Sequence, residues 1–190
     1  GHRPATDNLG LDKAGIEMTA RGAVATDDFL RTNVPGVWAM GDVTGRLQFT
    51  YTSLDDYRIV YPQLVSGVPS YSLAQRKNVP YNVFLDTPFG RAGMNEKEAE
   101  KAGISYRAVT MPAAAIPKAQ VLRRTGGMLK ALIDTKTNRI LGAMLLCEES
   151  WEVINIVKLA MDMEVPYTVL RDQIFTHPTM SESLNDLFSL

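Results

Sequence analysis

Cysteine is almost missing. The 190-residue chain has one, Cys147. A single thiol forms no internal disulfide, and its place in the apolar run ILGAMLLC favours a buried, inert sulfur over a reactive one. Histidine is nearly as scarce, with two. So few soft ligands, without ligand spacing, support no metal site. An excess of either charge is also lacking: 20 Lys and Arg face 21 Asp and Glu, for a net charge of -1. That excludes the basic footprint expected for nucleic acid or an anionic membrane. No apolar run reaches the roughly 20 residues of a bilayer span. The opening GHRPATDNLG has no signal-peptide core, and with the lack of disulfides it reads as cytoplasmic. There is no G-x-G-x-x-G, so no phosphate cradle of that type.

What is present is the pattern of a globular chain, 45% hydrophobic. The first part reads as an incomplete α/β unit. Val37 to Met40 is a short apolar run closed by Gly-Asp, which suits a buried strand. A loop then leads to a helix in which Leu54, Tyr57, Val60, Tyr61 and Leu64 recur at helical spacing, with Gly67 as a stop. No preceding βαβ repeats surround this unit. The polar, proline-bearing stretch VPSYSLAQRKNVPYN marks a boundary. These features predict an N-terminal segment over 1–70, a linker over 71–78 and a second domain over 79–190.

The second domain has another pattern. VPYNVFL and ISYRAVTM read as strands. Asn95 to Glu98 resembles a capping box opening a short helix that Gly103 stops. GGMLKALIDTKTNRILGAMLLC reads as a hairpin turning at Asp134 to Asn138. SWEVINIVKLAMDM is an amphipathic helix with Val153, Ile156, Val157, Ala160 and Met161 on one face. Val169 to Ile174 suits a further short helix, and Pro178 introduces the last. Antiparallel strands beside helices predict an α+β fold, an antiparallel sheet with flanking helices.

Two stretches carry chemistry. Asp42, at the end of the first apolar run and next to Gly41, can receive a ligand hydroxyl while the glycine permits close approach. The following helix would present its positive N-terminal end to an electron-rich atom. The plain alternative is a turn. His177 is the second: a neutral imidazole exchanges protons near pH 7, and a carboxylate such as Glu182 fixes its tautomer. The plain alternative is a solvated histidine, with Glu182 serving only the S/T-x-x-E capping box of Thr179 to Glu182. Ser181 has no oxyanion-hole turn and makes no credible nucleophile with His177.

Together, TNVPGVWAMGDVTG and THPTMSE resemble the second FAD-binding motif and the C-terminal His-Pro-x-x-x-Glu signature of the class I pyridine nucleotide-disulfide oxidoreductases. That family includes glutathione reductase, dihydrolipoamide dehydrogenase and mercuric reductase. LQFTYTSLDDYRIV, RKNVPYNVF and LCEESWEVINIVKLAMDM look most like its bacterial reactive-chlorine-resistance branch of hypothiocyanous acid and copper(II) reductases. The resemblance covers essentially the whole chain. It implies that 1–70 is the C-terminal remnant of an FAD domain and 79–190 a dimerisation domain. It implies that Gly41 and Asp42 hold the ribityl chain of FAD, with backbone N–H groups around Phe49, Thr50 and Tyr51 facing the flavin's pyrimidine side. His177 would exchange protons with a thiol at the partner subunit's flavin, oriented by Glu182, so a homodimer would be required. The His177–Pro178 bond would be cis.

The departures carry equal weight. The family's G-x-G-x-x-G loop, its C-x-x-x-x-C redox pair and its NAD(P)H unit are missing. The expectation is therefore an inactive C-terminal part of a longer NAD(P)H-dependent enzyme, holding little or no FAD alone. The competing expectation is a stand-alone dimerisation module without catalysis. His2, where the family often has arginine, is given no role.

Overall fold

The computed structural model describes residues 2–189, in which the chain separates into two units that divide between Arg76 and Lys77. The first unit is poor in regular structure. Helix α1 (Thr50–Ser66) ends at Gly67 as the spacing predicts. The side it buries differs from the apolar recurrence. Val60 is buried, but Leu54, Tyr57, Tyr61 and Leu64 are exposed. The inward side is largely polar, with Thr52, Asp56 and Gln63 beside Ile59 and Val60. Burial of such groups is tolerable only when they are hydrogen-bonded. Gln63 meets that condition: Nε2 donates to the carbonyls of Phe29 and Ile59, each at 2.8 Å, and Oε1 accepts from Arg31 Nε at 2.7 Å. Leu30, Ile59 and Val60 form a small apolar core with Trp38, Tyr71 and Leu73 against it.

The strand expected over Val37 to Met40 is not formed. Trp38 makes only an isolated bridge to Arg31. On one side the chain turns directly, Val37 N donating to the Val34 carbonyl at 3.2 Å, and on the other Leu30, next to Arg31, is left-handed at φ 63°. Residues 71–76, expected within a linker, fold back onto the first unit: Ser72 is buried and Arg76 pairs with Asp55 and Asp56.

The second unit is α+β. Its elements run β1 (Tyr81–Val83), β2 (Phe89–Gly93), α2 (Glu96–Lys101), β3 (Tyr106–Pro112), α3 (Pro117–Leu122), β4 (Met128–Asp134), β5 (Ile140–Leu146), α4 (Ser150–Asp162), α5 (Thr168–Asp172) and α6 (Ser183–Ser189). The strands form one antiparallel sheet in the order β1-β2-β5-β4-β3. The α2 capping box is made in both directions: Asn95 Oδ1 accepts from Glu98 N at 2.9 Å, and Glu98 Oε2 accepts from Asn95 N at 2.8 Å. The expected hairpin is β4–β5, and Asp134 Oδ1 accepts the turn N–H groups of Lys136 and Thr137.

The sequence reading did not identify β2 or α3. Two glycines in five residues weaken the β signal of Phe89–Gly93. Gly90 answers to close packing instead, because a Cβ there would lie 2.7 Å from the Ser150 carbonyl oxygen. Alternate residues Leu129, Ala131 and Ile133 of β4 and Ala143 and Leu145 of β5 enter a core with Val153, Ile154 and Val157 of α4. Leu184, Leu187 and Phe188 join from α6. Each such side chain contributes roughly 1.5–3 kcal/mol relative to exposure. That burial anchors the segment immediately after His177.

Candidate functional site

The loop between α5 and α6 is fixed from both ends. Asn185 of α6 places Nδ2 within hydrogen-bond reach of the carbonyls of Leu170, Arg171 and Gln173, at 2.9, 2.8 and 3.0 Å. Met180 is buried to 1% exposure. Thr179 Oγ1 donates to the Thr176 carbonyl at 2.7 Å. Between these anchors the His177–Pro178 peptide bond is cis.

This loop brings His177 and Glu182 together. Nδ1 lies 3.0 Å from Glu182 Oε1 and 3.1 Å from Oε2. A carboxylate accepting in this contact calls for the tautomer with the proton on Nδ1. Nε2 is then the nitrogen available for proton exchange, on a side chain 71% exposed; that of Glu182 is 15% exposed. The capping role survives alongside. Thr179 N donates to Glu182 Oε2 at 3.2 Å, and Glu182 N donates to Thr179 Oγ1 at 3.3 Å. Asn185 and Met180, which hold the loop, carried no sequence signal.

In the first unit, Gly41 opens a 3-10 turn, Gly41–Thr44, and adopts φ 73°. A Cβ at this position would approach Ser53 Oγ to 2.9 Å. Its N–H donates to Asp56 Oδ2 at 2.7 Å, and its carbonyl accepts from Thr44 Oγ1 at 2.8 Å. Asp42 is exposed on this turn. At the start of α1, Thr52 and Ser53 donate their N–H groups to the Phe49 carbonyl. The Phe49 N–H is taken by Thr52 Oγ1 at 3.2 Å. That leaves Thr50 and Tyr51 as first-turn amides without an intrahelical acceptor. Of the three amides expected to face a ligand, Phe49 therefore has its N–H turned to another use.

Behind the turn, burial opposes the charge of Arg76, but Asp56 and Asp55 more than offset it and hold its pKa above the ordinary value. Burial and the neighbouring Asp55 likewise push up the Tyr71 hydroxyl. Cys147 is buried, and burial, with Glu148 and Glu149 nearby, pushes its thiol up to about 12. Such a thiol is inert at neutral pH. Among the described residues, no group of three or more His, Cys, Asp or Glu is placed to hold a metal ion. No helix among them is long and apolar enough to cross a membrane.

Residues 79–188 match the family described as pyridine nucleotide-disulphide oxidoreductase, dimerisation domain, and residues 1–56 match pyridine nucleotide-disulphide oxidoreductase. The chain belongs to this family. Over 190 residues it is 57% identical to the Escherichia coli (strain K12) protein named probable pyridine nucleotide-disulfide oxidoreductase RclA, covering 100% of this chain and 43% of that protein. It is 30% identical over 187 residues to the mercuric reductase of Bacillus cereus, covering 97% of this chain and 29% of that one. A structure of the HOCl-induced flavoprotein disulfide reductase RclA from E. coli matches at TM-score 0.95 and 55% identity, over 100% of this chain and 43% of that chain. LpdA from Mycobacterium tuberculosis, at 21% identity and TM-score 0.86, shows the same fold. The chain thus spans less than half the length of these relatives.

Proposed function

We propose that this chain is the C-terminal part of an FAD-dependent NAD(P)H:disulfide or small-oxidant oxidoreductase. In this reading it forms the homodimer interface and supplies His177 and Glu182 to the partner subunit's active site. The observation that carries it is the contact of Glu182 with His177 Nδ1, 3.0 Å long, on an otherwise exposed imidazole. A histidine serving only as a helix approach has no use for a fixed tautomer.

The residues of the first unit suit FAD. Asp42 is an exposed acceptor for a ribityl hydroxyl, and the amides of Thr50 and Tyr51 are donors for the electron-rich pyrimidine edge. Bound FAD would supply two-electron redox chemistry. Glu182 orients the ring through Nδ1, so that Nε2 would take a proton from a reacting thiol and return it. With one cysteine, the chain has no dithiol of its own. The redox pair and nicotinamide site would come from the rest of the longer protein, and this chain alone would not turn over.

The test is His177→Ala in the full-length protein. Folding and FAD content should be unchanged, while the proton-coupled half-reaction in stopped flow slows by roughly 10²–10⁴. Full activity in the variant would leave dimerisation without catalysis as the reading for this segment.

A further inference from the structure

The redox reading gives Asp42 a task but leaves the ion pairs behind it unexplained. Asp56, with a side chain 5% exposed, divides its carboxylate. Oδ2 accepts the Gly41 N–H at 2.7 Å, and Oδ1 meets Arg76 at 2.5 Å. Arg76 Nε donates to Asp55 at 2.7 Å, and Asp55 accepts from Tyr71 Oη at 3.3 Å. From the other side, buried Thr44 grips the Gly41 carbonyl. Both polar groups of Gly41 are therefore held by buried side chains, and the next residue is the exposed Asp42. Attaching α1 to its unit needs no such bond to the turn, because Ile59, Val60 and the Gln63 network already bury that helix.

We infer that Asp56 and Arg76 are positioning residues for the Asp42 carboxylate. Asp56 fixes the Gly41 backbone, while Arg76 balances the buried charge of Asp56 and sets its orientation. The inference rests on the reading of Asp42 as a ligand of FAD. Its physical basis is that removing one partner of a buried pair leaves an uncompensated charge that the structure must relax around. A binding group displaced by such relaxation loses the geometry its ligand requires.

The experiment uses the full-length flavoprotein. FAD release is followed by flavin fluorescence on dilution, and the apoprotein melting temperature is measured in parallel. Arg76→Met and Asp56→Asn should each loosen FAD by about 10–100-fold, the scale known for residues that orient metal ligands. Arg76→Lys, which keeps the charge but not the two-sided grip, should recover part of the loss. The control is Arg31→Met, which breaks the Arg31–Gln63 bond on the same helix without touching the turn. It should retain FAD whatever it does to melting. If Arg76→Met does not fold, Arg76→Lys and Asp56→Asn decide by the same comparison. FAD affinity that merely follows melting temperature in every variant, the Arg31 control included, overturns the inference. Wild-type FAD affinity in Asp42→Ala would instead remove the assignment of Asp42 itself, and the inference with it.

Discussion

Glu182 holds His177 without giving up the start of the last helix. One carboxylate accepts from the imidazole at 3.0 Å and from the Thr179 N–H at 3.2 Å. The sequence reading offered the two roles as alternatives. A carboxylate has several lone-pair sites, and both donors approach from the same turn, so no choice arises.

That shared use separates two substitutions. Glu182→Ala should remove both contacts and destabilise the chain by about 1 kcal/mol, the usual worth of a cap. Glu182→Gln keeps one neutral acceptor and should be closer to wild type in urea unfolding. In the full-length protein the Gln variant should lose less rate than His177→Ala. Equal stability of the Ala and wild-type chains would show that the capping bond contributes nothing.

Cys147 sets an alkaline limit. Its thiol is raised from 9.0 to about 12. The unfolded chain therefore releases this proton first as pH rises. The contribution to stability is complete below the unfolded value and is lost progressively as pH climbs toward the folded one. Urea midpoints should fall between about pH 9 and pH 12 more steeply in wild type than in Cys147→Ala. Thiol reagents should label Cys147 only on unfolding. Rapid labelling of the folded chain at neutral pH would contradict its burial.

Gly41→Ala tests the turn. At φ 73° an L-residue is disfavoured by roughly 1–2 kcal/mol, and the added methyl must also displace Ser53 Oγ from 2.9 Å. The variant should melt earlier, and the full-length protein carrying it should lose FAD more readily. An unchanged melting temperature and unchanged flavin content would mean that this backbone is free to rearrange.

Association is the remaining test. A family dimerisation domain over residues 79–188 leads us to expect a homodimer. Light scattering should give twice the chain mass, since two-fold dimers are the commonest closed assembly. A monomer at micromolar concentration would remove the basis for a site shared between two chains.

The sequence by itself determined those elements whose evidence is local. The β4–β5 hairpin, the Asn95–Glu98 cap, the amphipathic α4 and the Gly67 stop of α1 are each specified by residues a few positions apart. The contact of His177 with Glu182 was legible for the same reason, the two lying five residues apart. Other features depended on distant partners. β2, with two glycines, is a strand because β5 runs beside it and the Ser150 carbonyl needs the space at Gly90. Val37 to Met40 looked like a strand, but it makes one bridge between the turn at Val34 to Val37 and the left-handed Leu30 beside its partner Arg31. The inward side of α1 does not follow its apolar spacing, because Asp56 and Gln63 are buried by polar partners 15 to 34 residues away. Hydrophobic periodicity reports where apolar groups recur along a helix. Only the assembled tertiary structure decides whether a carboxylate or an amide will find enough hydrogen bonds to be buried in their place.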